Sequence, residues 1–580
     1  MVSNAFQTDE APGALDADGP SDHPGGMTDA VHDVGPGGEA RARTRRDVDD
    51  AIRGSDLGRA IDLACAALAG GDENALYFNL RAMRLQGQGR AREALTDLER
   101  AGELAPDDFT VLNAIGLCFA QLDRGGEAMS AFDAALALEP RFAPAHVNRG
   151  RLLEARGDLG AARQAFETAI EHDPQHPEAL GRLALHAARR SDWAEVRDLA
   201  NRALAIDPAQ KSASLALAMA DITGGDGGAA EARLKVVLAD EAQPPSDRAA
   251  ALGLLGDALD AQDRAAEAFD AYAESNQVFR RIYESRFTGP KVQTARHTVR
   301  WLISYFEKAP ALRWAATAQK DAAATSVAAG HVFIVGFPRS GSTLLQQILA
   351  SHPGVVSLGK RDGLADAAGA FMSTPAGMDQ LSFMGEANLE PYRQAYWRRV
   401  GHSAADLAGK VLVDELPLNT LKLPLISKLF PGARILFSLR DPRDVVLSCF
   451  RRRFRVNAAM YQLLTLEGAA GYYDDMMRLA EIYRDKLPLM LRALRHEDFV
   501  SDFEAQARAL CDFVGVGWVD AISEFAERAR TASITAPGSG QIAEGLQDSA
   551  TGRWRAYRDQ LEPVLSVLQP WTTTYGYPAD

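Results

Sequence analysis

From about residue 41 to residue 282, small and apolar residues recur at helical spacing, and the pattern returns every 34 residues. Pro106, Pro140, Pro174 and Pro208 mark that interval, and so do Ala101, Ala135, Ala169 and Ala203. Gly116 and Gly150 keep it; Ala128 and Ala162 follow them by 12 residues, and Phe132 and Phe166 by four more. Weaker copies extend both ways, through Ala60 and Ala67 upstream and Gly256, Ala268 and Tyr272 downstream. The pattern predicts paired helices: small residues let two helices approach, the Phe fills the gap between neighbouring pairs, and the Pro closes each unit. Beyond residue 331 short apolar runs alternate with amphipathic stretches instead. Candidate strands are 332–337, 411–416, 433–439 and 489–495; candidate helices are 342–351, 361–372, 419–429, 441–453, 467–484, 502–514 and 553–568. Such alternation predicts a mostly parallel sheet covered on both faces, with ligands at the carboxyl ends of its strands.

A 34-residue period is that of the tetratricopeptide repeat, in which helix pairs stack into a solenoid. Six or seven units fit. The expected fold is therefore an α-helical tetratricopeptide solenoid followed by an α/β, P-loop-like domain with a mostly parallel sheet. The expected segments are 1–40, rich in Gly, Asp, Ala and Pro and disordered; 41–282, the repeats; 283–330, a helical linker whose Trp301–Phe306 stretch packs on a domain; and 331–580, the α/β domain. Solenoids bind on their concave face. The expected partner is a protein or peptide there, the plainer alternative being a scaffold or dimerisation surface. Repeats touch mostly their neighbours, so a chain starting near 283 is expected to keep its ligand site.

The densest chemistry lies at His331–Leu345, where a β-branched run leads through Gly336-Phe337-Pro338-Arg339-Ser340-Gly341 into Ser342-Thr343 and an apolar helix. Loop N–H groups and a helix start make an anion site. Gly336 and Gly341 allow close backbone approach, and Arg339 adds a bidentate charge. The spacing is close to the nucleotide P-loop G-x-x-x-x-G-K-[ST], but Ser342 stands where its lysine would be. That departure points to one 5′-phosphate rather than a triphosphate and argues against a P-loop kinase.

Together with Arg440-Asp441-Pro442-Arg443-Asp444, the word Pro338-Arg339-Ser340-Gly341-Ser342-Thr343 resembles the sulfotransferase family, in particular bacterial tetratricopeptide-repeat sulfotransferases and, more distantly, tyrosylprotein sulfotransferases. The resemblance implies 3′-phosphoadenylyl sulfate (PAPS) as co-substrate and no metal. It implies that residues 338–343 hold the 5′ end of the donor and that Arg440 and Ser448 bind its 3′-phosphate, with Arg452 one helical turn beyond Ser448. His496, in Arg495-His496-Glu497-Asp498, stands where the family has an adenine-contacting tyrosine. Ser539 and Arg553, with Trp554, match a loop that closes over the donor. The catalytic positions depart from the family. Where tyrosylprotein enzymes carry a glutamate after the His-Pro word, the chain has Lys360; where they carry a lysine before a strand-end proline, it has Glu415. Glu415 is therefore expected as base, with Lys360 the nearby cation; Arg339 is the third residue expected to be catalytic. Asp362 or Asp414 as base, and a catalytically silent nucleotide-binding repeat scaffold, are the alternatives.

A formal charge of −15 argues against a general nucleic-acid partner. Cys65, Cys118, Cys449 and Cys511 are scattered without metal or disulfide spacing, and neither a membrane-length apolar run nor a signal-like start is evident, so a cytoplasmic setting is expected. Peptide tyrosine, carbohydrate, lipid and small phenol all stay open as acceptors, as does oligomeric state.

Overall fold

The computed structural model describes residues 36–579 apart from 55, 242, 290–291, 315–327, 359–360, 402–403 and 532–550. Lys360, Ser539 and most of the segment expected to be disordered thus lie outside the described residues. The first helix begins at Pro36, before the boundary expected at 40. The chain divides into two compact units, one ending at Pro140 and one beginning at Arg141.

The first unit contains α1 (Pro36–Arg53), α2 (Leu57–Ala69), α3 (Ala75–Gly87), α4 (Ala91–Leu104), α5 (Phe109–Gln121) and α6 (Gly125–Leu138). Asp56, Asn74 and Asp108 cap helix starts by accepting backbone N–H groups. A methyl placed on Gly116 would lie 2.5 Å from the Phe132 ring. The ring therefore sits over the glycine of its own helix pair, where the sequence pattern had it bridging neighbouring pairs.

The second unit opens with four more pairs: α7 (Ala143–Arg156), α8 (Leu159–His172), α9 (Pro177–Arg189), α10 (Trp193–Ile206), α11 (Lys211–Thr223), α12 (Gly227–Leu238), α13 (Pro245–Asp260) and α14 (Ala265–Phe287). Gly150 and Phe166 repeat the contact, at 2.6 Å, and Gly256 and Tyr272 do the same. One repeat further on, Ala184 and Ala200 stand at the positions of the glycine and the ring.

The sheet has the order β2-β3-β1-β4-β5, with every neighbouring pair parallel. Its strands are β1 (Gly330–Gly336), β2 (Val355–Ser357), β3 (Val411–Glu415), β4 (Arg434–Leu439) and β5 (Met490–Arg495). Strand alternation divides two cores. Phe333, Val335, Leu412 and Phe437 face one side; Val332, Ile334, Val413 and Leu436 face the other. On the second face lies helix Ser342–Ala350, which follows β1, through Leu345 and Ile348. On the first lies helix Pro442–Arg451, which follows β4, through Val445, Val446 and Cys449. Neighbouring strands β1 and β4 thus send their helices to opposite faces, and a crevice opens at their carboxyl ends.

The segment expected as a linker is part of this core. α15 (Ala295–Lys308) buries Val299, Leu302, Ile303 and Phe306 in the first-face cluster, together with Leu259, Ala271 and Tyr272 of the last repeat. Arg296 and Arg300 of α15 both bind Asp475, Arg296 at 2.7 Å. Helices Pro375–Phe383 and Glu386–Val400 were not anticipated, nor was the three-residue β2.

Candidate active site

Two stretches about 100 residues apart meet at the crevice. Gly336 (φ 148°) and Gly341 (φ 100°) end β1 and start the following helix in backbone conformations that favour glycine. Between them Arg339 adopts φ 70° although it carries a side chain. A non-glycine residue held there is strained by roughly 1–3 kcal/mol, and such strain collects at ligand sites. The Arg339 Nε donates to Ser448 Oγ at 2.9 Å, joining the loop to the helix after β4. Cys449 Sγ donates to the Pro338 carbonyl, Ser340 Oγ to the Phe337 carbonyl at 2.7 Å, and Ser438 Oγ to the Ser340 carbonyl at 2.7 Å. The loop is thus held from within and from β4. Thr343 lies in the first turn of the helix.

The five-residue word at the end of β4 divides into scaffold and site. Asp441 caps the helix and binds the Arg443 guanidinium, which also donates to the Pro578 and Ala579 carbonyls. Arg443 lies 3.8 Å over the Trp554 ring. Asp444 accepts the Gly552 and Trp554 backbone N–H groups at 2.7 and 2.8 Å; burial nonetheless lifts its pKa to about 6. Arg440 faces a cavity of about 830 Å³.

That cavity is lined by seven arginines (189, 339, 440, 451, 452, 453 and 553) against Asp257, Asp260 and Asp444. In a chain of charge −15, so local an excess of cations describes a pocket for a polyanion. Ser448 joins them from the helix after β4, and Leu185, Leu215, Met219 and Leu254 of α9, α11 and α13 line the same cavity. His496, at the end of β5, sits against the loop: a methyl on Gly341 would lie 3.2 Å from its Nδ1. Burial, then Arg440 and Arg339, drive its pKa down to about 3, so it is neutral. Both ring nitrogens are buried without a hydrogen-bond partner.

The expected base lies on the other side of β1. Glu415 ends β3, opposite Ile334, is fully buried, and accepts the Ser342 Oγ–H at 2.6 Å. The structure brings together Arg339, Arg440, Ser448, Arg452 and Arg553 around the cavity, His496 against the loop, and Glu415 against Ser342. Arg553 gives its guanidinium to Asp260, at 2.7 Å to the carboxylate. Of the alternative bases, Asp414 points to the opposite face from Glu415, where Tyr396 donates to it at 3.0 Å and burial lifts its pKa to about 7. Asp362 binds Lys422 at 2.5 Å. Sequence reasoning missed Asp257, Asp260 and Arg189, which come from repeat helices and carry no local mark of a site.

Residues 331–520 match the model of the sulfotransferase family. They form a sulfotransferase-family domain. Residues 79–145 and 147–211 match tetratricopeptide repeats. An uncharacterized protein of Aquifex aeolicus is 27% identical over 256 residues, 41% of this chain and 32% of that protein. A Caenorhabditis briggsae protein named "Putative protein-tyrosine sulfotransferase" is 30% identical over 129 residues, 22% of this chain and 44% of its own length. The chain therefore spans less than half of these two relatives. Among solved structures, a tetratricopeptide repeat protein from Parabacteroides merdae aligns with 43% of this chain and 97% of its own, at 19% identity and a TM-score of 0.31. The sulfotransferase-family match contains the loop, Glu415, Arg440, Ser448 and His496, and it ends before Arg553. Among the described residues no helix is long and apolar enough to cross a membrane, and no group of three or more His, Cys, Asp or Glu side chains is placed to hold a metal.

Proposed function

We propose that the chain moves a sulfuryl group from PAPS to a hydroxyl acceptor that the repeats present, in a cytoplasmic setting. The observation that carries this is the meeting of Arg339 and Ser448, at 2.9 Å, at a basic cavity that repeat helices also line. In this reading the loop and Arg339 hold the 5′-phosphosulfate, and Arg440, Ser448 and Arg452 hold the 3′-phosphate. His496, neutral and buried, meets the adenine, while Ser539 and Arg553 close over the donor. The acceptor oxygen attacks sulfur as its proton passes to Glu415, directly or through the Ser342 hydroxyl. The bond from sulfur to the 5′-phosphate oxygen breaks and leaves adenosine 3′,5′-bisphosphate. Lys360 steadies the charge that develops on the departing oxygen. Positioning and electrostatics supply most of the acceleration in such a transfer.

The apolar residues Leu185, Leu215, Met219 and Leu254 support acceptor contact by the repeats, because they line the same cavity as Arg339, Arg440 and Ser448. The test pairs calorimetry with adenosine 3′,5′-bisphosphate and transfer from sulfur-labelled PAPS to a cell extract, with labelled products identified by mass spectrometry. Binding with labelling of a protein or peptide is expected. Binding without transfer to any acceptor or to water would make the chain a silent nucleotide-binding scaffold, and absence of binding would overturn the donor assignment.

A further inference from the structure

The donor reading places every phosphate contact in the sulfotransferase-family domain. The structure adds a residue from outside it. Asp260, the last residue of α13, is buried and lines the cavity. Its carboxylate binds the Arg451 guanidinium, accepts the Tyr557 hydroxyl at 2.5 Å and pairs with Arg553 at 2.7 Å, and its carbonyl accepts from Arg553 at 3.0 Å. These partners come from the end of the helix that carries Ser448 and from the segment after residue 550. Burial pushes the Asp260 pKa up, but Arg451, Tyr557 and Arg553 outweigh it and hold the group below its usual range. Arg451 is also ringed by Tyr272 of α14, 5.3 Å away, and Tyr557, 5.5 Å away. Around this junction Asn276 Nδ2 donates to the Phe450 carbonyl at 2.9 Å, Phe269 stacks on Phe450 at 4.9 Å, and Arg453 reaches Asp257 at 3.4 Å.

We propose that Asp260 is a positioning residue of the donor site: by clamping Arg451 and Arg553 it fixes Ser448 and Arg452 for the 3′-phosphate, so that the repeat domain completes nucleotide binding. This rests on the donor assignment made above. The physical ground is that a buried carboxylate shared by two guanidinium groups orients both, and that removing it leaves two like charges side by side in a pocket already rich in cations.

The experiment measures affinity of the full chain, by calorimetry, for adenosine 3′,5′-bisphosphate and for adenosine 5′-monophosphate, which lacks the 3′ group. Asp260→Asn should weaken the bisphosphate about ten-fold or more while changing the monophosphate less than about two-fold. Asn276→Ala loosens the same junction without touching its charges, and should lower the melting temperature while keeping both affinities. Should Asp260→Asn fail to fold, Tyr557→Phe removes one donor to Asp260 and should weaken the bisphosphate alone, by about three-fold. Equal weakening of both ligands, or equal losses in Asp260→Asn and Asn276→Ala, would reduce Asp260 to a packing residue and overturn the inference. Wild-type binding that is unchanged in Asp260→Asn also overturns it while leaving the donor assignment standing. A wild-type chain that binds neither nucleotide overturns the donor assignment and, with it, this inference.

Discussion

Replacing Glu415 by Gln is the sharpest test of the catalytic reading. The Ser342 hydroxyl donates to Glu415 Oε1 at 2.6 Å. Gln keeps an acceptor oxygen for Ser342, so the start of the helix stays in place, and what is lost is the capacity to take a proton. If Glu415 is the base, turnover should fall about 10²- to 10⁴-fold, or roughly 2.7–5.4 kcal/mol at 1.36 kcal/mol per decade. Affinity for adenosine 3′,5′-bisphosphate should change less than about two-fold, because Arg339, Arg440 and Ser448 lie on the β4 side of β1 and Glu415 on the β3 side. Sulfate release from PAPS to water gives a turnover that needs no knowledge of the acceptor. Since Glu415 is fully buried, Ser342→Ala separates two routes: a comparable loss indicates relay through the hydroxyl, a mild one direct contact after side-chain rotation. The double change Lys360→Glu with Glu415→Lys should regain part of what each single change loses, with the coupling energy as readout. Turnover in Glu415→Gln above about a third of wild type would refute the argument, since a positioned base is worth far more than that.

Arg339→Ala and Arg440→Ala should each weaken adenosine 3′,5′-bisphosphate about ten- to a hundred-fold, the worth of one charge-assisted contact of roughly 1.5–3 kcal/mol; unchanged affinity in both would remove the site assignment. Gly116→Ala places a methyl 2.5 Å from the Phe132 ring and should destabilise the first unit by about 1–3 kcal/mol in thermal unfolding, with Phe132→Leu restoring part of the loss. Asp414, lifted by burial to about 7, stays protonated in the folded state at pH values where the unfolded chain ionises it. The folded state then binds more protons, so this group's contribution to stability falls as pH rises from about 4 through 7, and Asp414→Asn should flatten unfolding free energy against pH in that window. Repeat modularity alone would let a chain beginning near 283 keep its site, but such a chain lacks Asp260 and Tyr272, which pair with and cover Arg451, so it should bind the bisphosphate at least ten-fold more weakly than the full chain; equal affinity would show the junction to be dispensable.

The repeats and the phosphate loop were legible because their determinants are local. A 34-residue recurrence of Gly, Ala and Phe reports helix contacts inside one pair, and the Gly336–Gly341 spacing reports a backbone path that only a few residues can follow. Even there the Phe was misplaced, between pairs instead of over the glycine of its own pair, since periodicity gives position along the chain and not direction in space. The helix Glu386–Val400 escaped notice because Pro391 lies inside it and reads as a breaker. A three-residue strand such as β2 leaves too short a pattern to be seen.

By itself, then, the sequence determined that paired helices precede a parallel α/β domain, and that an anion loop ends its first strand. Tertiary structure alone decided which faces the two carboxylates of β3 take toward chemistry: Asp414 shares its face with Tyr396, and Glu415 meets Ser342. It also decided that the last repeat and the supposed linker share a core with the sheet, and that Asp260 joins Arg451 and Arg553 across 191 and 293 residues. Such pairings follow no period and no motif. They depend on where whole elements come to rest, which the packing of two sheet faces and the helix pairs of the second unit settles together.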